Sequence, residues 1–282
     1  AHENSDKKIL YLAFNKALTN EVRLKCNKMA KNLYPYTFDA FIRKGFMNKF
    51  PNKNFNIKFL TTYTFGKEYP WFQNKPARMK KTFIAKFNKF CKNIKYNEMY
   101  KFIDEKYPKA SSFTKKQLIK MWEHTKQNKL ITFDGLRKLA LVQHWFKDYL
   151  DANYDMIFID EAQDFDPVML EILLKDSTIP KVFVGDPRQA IYEWRGAINA
   201  FEILPEENYT VEFYTTWRIG EPACDIIRNK FTNCWMIAGN KNTTQLHYNK
   251  EPNSKYDYLF RSWRYLLQTA VDKKNIWIND YY

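Results

Sequence analysis

Four carboxylates fall within seven residues of the sequence: Asp160, Glu161, Asp164 and Asp166, in the stretch MIFIDEAQDFDP at 156–167. The run just before them, Met156 to Ile159, is apolar with β-branched and aromatic side chains, the pattern of a buried strand. A strand that ends in adjacent carboxylates holds them rigidly at a sheet edge, where they can carry a metal ion and orient a water. Magnesium suits such a pair, since it takes one or two carboxylates and completes its shell with water and phosphate oxygens. The chemistry implied is attack of water on a phosphoryl group. Asp166 reads differently: it precedes Pro167 and the apolar run VMLEILLK, so it is expected to cap a helix with Pro167 in the first turn.

The elements that must position these groups follow from the hydrophobic pattern. KKILYLAFN (7–15) reads as a strand and leads into a helix from about 17 to 30. An extended segment around Tyr36 follows, with Thr37 as the expected N-cap of the next helix. From about 64 to 146 the pattern is helical and basic, with expected breaks at Pro70, Pro76, Pro108 and Gly135. Within it, Phe83, Phe87 and Phe90 recur at helical spacing, with Ile84, Cys91 and Ile94 alongside, and are expected to face a core. After the carboxylate strand come a short helix from Pro167, a strand in PKVFVGDPRQ (180–189), a strand-like stretch from 208 to 218, a helix from Glu221 and a strand in YDYLFRS (256–262). Short apolar strands alternating with helices predict an α/β fold with a parallel sheet, interrupted by a helical insertion.

Composition bounds the partners. The chain has 282 residues, 45% hydrophobic and 18% aromatic, which supports a large core and about two domains. No apolar run approaches the ~20 residues of a membrane span, so no membrane partner is expected. The N-terminal AHENSDKK lacks an apolar signal core. The four cysteines are scattered, without CxxC pairs, which points to reduced thiols in a soluble, intracellular protein. A formal charge of +15 makes nucleic acid the leading partner class, although abundant lysine alone could produce it.

Read together, the motifs resemble the superfamily 1 UvrD/PcrA/Rep-type DNA helicases, and the F-box DNA helicase branch in particular. ILYLAFNKALTNEV is similar to motif Ia, and YTFDAF to the short segment that follows it. ITFDGLRKL is similar to the segment before the carboxylate strand in the F-box branch. IFIDEAQD resembles motif II, VGDPRQAIYEWRGA motif III and FYTTWRIGEPACDII motif IV. The motifs occur in family order, and the pairing of DEAQD with GDPRQAIYEWRGA some 20 residues on is specific.

The resemblance implies a RecA-like first domain whose first part covers 1–65, a basic helical insertion at 66–146, a second part at 147–210, and the start of a second RecA-like domain at 211–282. It implies ATP and Mg²⁺ as cofactors and single-stranded DNA as partner. Asp160 would hold Mg²⁺, and Glu161 would orient and deprotonate the attacking water. Gln189 would sense the γ-phosphate, and Arg218 would reach the same phosphate as an always-charged fork. Gln163 and Asp164 would couple the nucleotide site to the rest of the motor, whereas Asp186 is expected only to shape a turn. Phe14, Asn15, Lys16, Thr37, Phe41, Tyr192, Trp194 and Arg195 would lie along the DNA, with bases stacking on the aromatics. Asp39 stands where the family usually has His, and an anion there is not expected to touch DNA.

One part of an ATP site has no counterpart in the sequence. A phosphate-binding P-loop needs Gly-x-x-x-x-Gly-Lys-Ser/Thr. Of the seven glycines only Gly66 precedes a lysine, and there Glu68 and Thr61 stand at the positions of Ser/Thr and the first glycine. Nothing resembling motifs V and VI follows YDYLFRSWRYLLQTAVD either. The expectation is therefore an N- and C-terminally incomplete portion of a helicase, working with the missing portions or a protein partner. A pseudo-helicase that binds DNA without hydrolysing ATP, and an interaction module on a helicase scaffold, are the alternatives. Retention of Asp160, Glu161, Gln189 and Arg218 favours the first.

Overall fold

The expected first strand forms at Ile9–Ala13 (β1), and all five of its residues are buried. That is why the stretch reads as an unbroken apolar run: the central strand of a parallel sheet is covered on both faces. The computed structural model describes residues 6–26, 31–190, 200–204, 209–231 and 234–239. The chain divides into two compact units between Leu204 and Pro205.

In the first unit, β1 is followed by α1 (Lys16–Cys26), β2 (Leu33–Thr37) and α2 (Phe38–Lys49). The helical stretch contributes α3 (Thr62–Glu68), a 3-10 turn at Pro70–Phe72, α4 (Ala77–Cys91), α5 (Met99–Lys106), α6 (Ser112–Lys126), α7 (Phe133–Val142) and α8 (Tyr149–Asn153). Then come β3 (Met156–Asp160), α9 (Pro167–Lys175), β4 (Lys181–Phe183) and α10 (Ala200–Ile203). The four strands form one sheet in the order β2-β1-β3-β4, and every pairing is parallel.

The local signals mostly hold. Thr37 caps α2, its hydroxyl accepting from the amide of Ala40, and Asp166 caps α9 by accepting from Val168 and Met169 with Pro167 in the first turn. Pro70 and Pro76 stand at helix starts and Pro108 lies between α5 and α6. Gly135 corrects the expectation of a break. It sits inside the first turn of α7, its amide bonded to the Thr132 hydroxyl. A Cβ there would come within 2.8 Å of that oxygen, so close capping, not chain reversal, requires the glycine.

Phe83, Phe87, Phe90 and Cys91 are buried as the spacing predicts, but Ile94 lies past the end of α4 and is exposed. The core is continuous from Leu10 and Leu12 of β1 through Phe38 and Phe41 of α2 to the α4 aromatics and Trp122 of α6. The basic helices therefore share one apolar core with the sheet. Each fully buried aromatic in it contributes about 1.5–3 kcal/mol relative to exposure.

The second unit holds β5 (Thr215–Thr216), α11 (Glu221–Lys230) and β6 (Ile237–Ala238), with the two strands parallel. The strand expected over 208–218 is thus only two residues long. Phe213, two residues before it, is 91% exposed, so burial does not extend the strand on that side. The expected helix starts at Glu221, with Pro222 in its first turn. The strand expected at 256–262 lies outside the described residues.

Candidate functional site

From β1 the chain goes to β2 on one side, then returns past β1 to β3 on the other and continues to β4. Adjacent strands whose connections run in opposite directions make a topological switch point, and ligands of open parallel sheets bind outside the carboxyl ends of such strands. The pair is β1 and β3. The residues that leave those two ends are Phe14, Asn15 and Lys16, and Asp160 and Glu161. The register pairs Ala13 with both Asp160 and Thr37, so the ends are level across three strands. Motif Ia, Thr37 and motif II are thereby brought to one edge of the sheet.

Asp160 is held from both sides. The Tyr11 hydroxyl donates to its Oδ2, and the Glu161 amide donates to its Oδ1 at 3.0 Å. Tyr11 pairs with Phe158 in the register, so Asp160 is its diagonal neighbour, two residues on. Burial, and then the bond to Asp160, raise the Tyr11 phenol well above its ordinary pKa, so it remains a donor at neutral pH. No sequence signal marks Tyr11; only the register makes it a partner of the carboxylate.

Glu161 adopts a left-handed backbone with φ of 52°. For a residue with a Cβ this conformation costs on the order of 1–3 kcal/mol and persists only where the surroundings enforce it. Enforcement is visible: the next amide, Ala162, donates to the Val184 carbonyl at 2.9 Å, and Gln163 Nε2 donates to Glu161 Oε2 at 2.5 Å. Asp164 is half-buried beside them. Burial first, and then the Glu161 charge, push its carboxyl up to about 6, and its Oδ1 has no hydrogen-bond partner.

Motif II is wired to motif III by a chain of side chains. Gln163 Oε1 accepts from the Asp186 amide at 3.2 Å, and Asp186 Oδ2 accepts from Gln189 Nε2 at 2.9 Å. Glu161, Gln163, Asp186 and Gln189 are therefore hydrogen-bonded in series. Asp186 does shape the turn, accepting from the Arg188 amide at 2.9 Å, but it is also the link to Gln189. Gly185 is required for this approach: a Cβ there would fall 2.2 Å from Gln163 Oε1 and 3.0 Å from the Ala162 amide.

The residues expected along DNA divide into four groups. Asn15 and Lys16 are exposed, Phe14 is half-buried, and Asn15 Oδ1 also accepts from the Leu18 amide at the start of α1. Thr37 is half-buried and uses its hydroxyl as a helix cap. Phe41 corrects the expectation. It is fully buried and stacks on Phe146 with ring centroids 4.4 Å apart, so no base can reach its face. Tyr192, Trp194 and Arg195 lie outside the described residues. Arg218 is exposed and belongs to the second unit.

Asp39 has a clear role. Arg137 of α7 donates through Nε and Nη2 to its Oδ1, at 2.8 and 2.6 Å. The same guanidinium donates through Nη1 to Asp134 at 3.2 Å and to Asp166 at 3.1 Å. A single buried cation thus ties α2, just past the end of β2, to the cap of α9, just past motif II. No local pattern marks Arg137 as a hub, because two of its three partners, Asp39 and Asp166, lie 98 and 29 residues away.

The UvrD/REP helicase N-terminal domain model matches residues 1–208. The chain belongs to that family. Among curated proteins, F-box DNA helicase 1 of Gallus gallus is 26% identical over 271 residues, covering 86% of this chain and 26% of the relative. F-box DNA helicase protein 1 of Schizosaccharomyces pombe is 23% identical over 212 residues, covering 67% and 24%. A probable DNA helicase of Mycoplasma pneumoniae is 28% identical over 242 residues, covering 74% and 43%. The chain spans about a quarter of the length of the two F-box relatives it matches.

For a UvrD-type domain, the donor set at the switch point fits Mg²⁺. Each Asp160 oxygen accepts one hydrogen bond and keeps a lone pair, and carboxylate oxygen is the donor that a small hard cation prefers. Among the described residues no group of three or more His, Cys, Asp or Glu gathers to hold a metal. A magnesium ion here would be held by Asp160 together with phosphate and water oxygens. No helix among the described residues is long and apolar enough to cross a membrane.

Proposed function

We propose that this chain is part of an ATP-driven DNA helicase and supplies the metal-and-water side of its ATP site together with a track for single-stranded DNA. The observation that carries the reading is the hydrogen-bonded series from Glu161 through Gln163 and Asp186 to Gln189, starting beside Asp160 at the switch point. Such a series lets the state of a phosphate at one end alter the loop that leads into Tyr192 and Trp194.

In this reading Asp160 holds Mg²⁺, which when bound neutralises charge on the transferring phosphoryl group. Glu161 takes the proton from the attacking water, and its strained backbone keeps the carboxylate aimed while Gln163 fixes one oxygen. Gln189 reports the phosphate, and Arg218 is the always-charged fork available to it. Phe14, Asn15, Lys16 and Thr37 meet the strand at the sheet edge, with Tyr192, Trp194 and Arg195 as its stacking and backbone contacts. The phosphate cradle comes from a segment other than these 282 residues, so the chain by itself binds ATP weakly or not at all.

The test is fluorescence anisotropy of a labelled single-stranded oligonucleotide. Binding is expected at low salt, falling as salt rises. Trp194→Ala is expected to weaken it by the loss of one stacked base, about 1–3 kcal/mol. Absence of binding at low salt would overturn the reading. The lack of a P-loop in the sequence favours one alternative, a DNA-binding pseudo-helicase. Mg²⁺-dependent ATP hydrolysis restored by adding a P-loop-bearing segment separates the two, since only the first reading expects it.

A further inference from the structure

The amphipathic helix α4 does more than bury its phenylalanines. Between Arg78 and Lys89 its outer side carries Arg78, Lys81 and Lys89, which with Ala85 fall at i, i+3, i+7 and i+11. At 100° per residue these positions lie within an arc of about 80°. The helix contains no acidic residue at all. All three cations are exposed, and among the described residues none has an ion-pair partner. This differs from the neighbouring lysines, since Lys92 faces Asp134 at 3.7 Å and Lys95 pairs with Glu105 at 2.8 Å.

Alongside this stripe runs an open groove of about 480 Å³, lined on one side by Lys81, Ile84, Ala85 and Asn88 of α4 and on the other by Leu60, Thr61 and Thr62 at the start of α3. The lining offers apolar surface, hydroxyls, an amide and a cation, and no carboxylate. The residues flanking the Leu60–Thr62 wall in the chain are Phe59 and Tyr63, both 69% exposed. Lys67 lies 4.5 Å from the centre of the Tyr63 ring. Exposed aromatics alone need no partner, but these two flank one wall of a groove whose other wall carries Lys81, and flat apolar faces next to positive charge suit a partner with both stacking rings and negative charge.

We infer that the α3–α4 groove is a second binding site for single-stranded nucleic acid, distinct from the sheet edge. Phosphates lie along Arg78, Lys81 and Lys89, and bases enter the groove and stack on Phe59 and Tyr63. From Arg78 to Lys89 the helix rises about 16 Å, enough to face several consecutive phosphates. A positively charged groove combined with aromatic platforms is the general solution for holding a single strand without reading its sequence. The inference rests on the nucleic-acid reading above and adds a site to it.

The test uses the full 282-residue chain and a fluorescein-labelled 20-mer of thymidylate, with anisotropy titrations at several salt concentrations. The triple variant Arg78→Gln, Lys81→Gln, Lys89→Gln changes only exposed side chains, and its circular dichroism is expected to match the parent. Each phosphate contact on a single strand contributes about 0.7 to the slope of log affinity against log salt, so the slope is expected to fall by about 2. Affinity at 50 mM salt is expected to drop about tenfold or more. Tyr63→Ala is expected to weaken binding about fivefold or more with the slope unchanged. If the triple variant keeps both affinity and slope while Trp194→Ala weakens binding, the groove is refuted and the sheet-edge site stands. If the triple variant weakens binding and Trp194→Ala does not, the groove stands and the sheet-edge track falls. A parent chain that fails to bind the oligonucleotide at low salt overturns both.

Discussion

Replacing Arg137 tests whether the ionic hub behind the site is structural. The side chain is about 10% exposed and donates to Asp39, Asp134 and Asp166, of which Asp166 is only 7% exposed. Arg137→Met keeps the length and apolar volume of the stem but strips Asp39 and the buried Asp166 of their cation and leaves Asp134 with Lys92 at 3.7 Å. Removing one partner of a buried ion pair costs about 3–5 kcal/mol, because the stranded charge loses its compensation. For a unit of this size each kcal/mol corresponds to roughly 2–4 °C, so the melting temperature is expected to fall by roughly 6–20 °C. Asp39→Asn should cost less, about 1–2 kcal/mol, because Asp39 is a third exposed and water screens it. The double variant should lose less than the sum of the two, since each removes the same bond. Urea unfolding followed by far-ultraviolet circular dichroism and by the fluorescence of the buried Trp122 measures all three. An Arg137→Met chain within about 1 kcal/mol of the parent would refute the reasoning.

Two further outcomes follow from the site. Asp164 has its folded pKa raised to about 6, so folding favours its protonated form and its ionisation costs stability as pH rises from about 4 to about 6. Asp164→Asn is therefore expected to match the parent at pH 4 and to exceed it by about 1–2 kcal/mol at pH 7, after allowing for its partial exposure; urea midpoints with an equal difference at every pH would contradict this. Phe41→Ala is expected to cost about 3–5 kcal/mol through the cavity it leaves. The affinity of the remaining folded fraction for single-stranded DNA should not change, and a specific loss of affinity in anisotropy titrations would restore Phe41 as a contact.

Much of the site was legible because its chemistry is local in sequence. The strand signal of Met156–Ile159, the Asp166–Pro167 cap and the order of the motifs all depend on neighbours a few residues apart, and β3 and α9 form where those signals put them. The same locality misled at Phe41. A pattern of residue types records where an aromatic stands along the chain, but its exposure depends on Phe146, more than a hundred residues away, which covers its face.

By itself the sequence determined the family, the parallel α/β class, the carboxylate pair and the excess of positive charge, since residue type and short-range periodicity encode each of these. Only the tertiary structure decided that Tyr11 steadies Asp160, that Arg137 neutralises Asp39 and Asp166, and that Gln163 and Asp186 connect Glu161 to Gln189. The reason is geometric. Parallel strands are joined by long crossovers, so groups a few ångströms apart across the sheet edge are separated by tens to more than a hundred residues of chain, and no local pattern records their meeting.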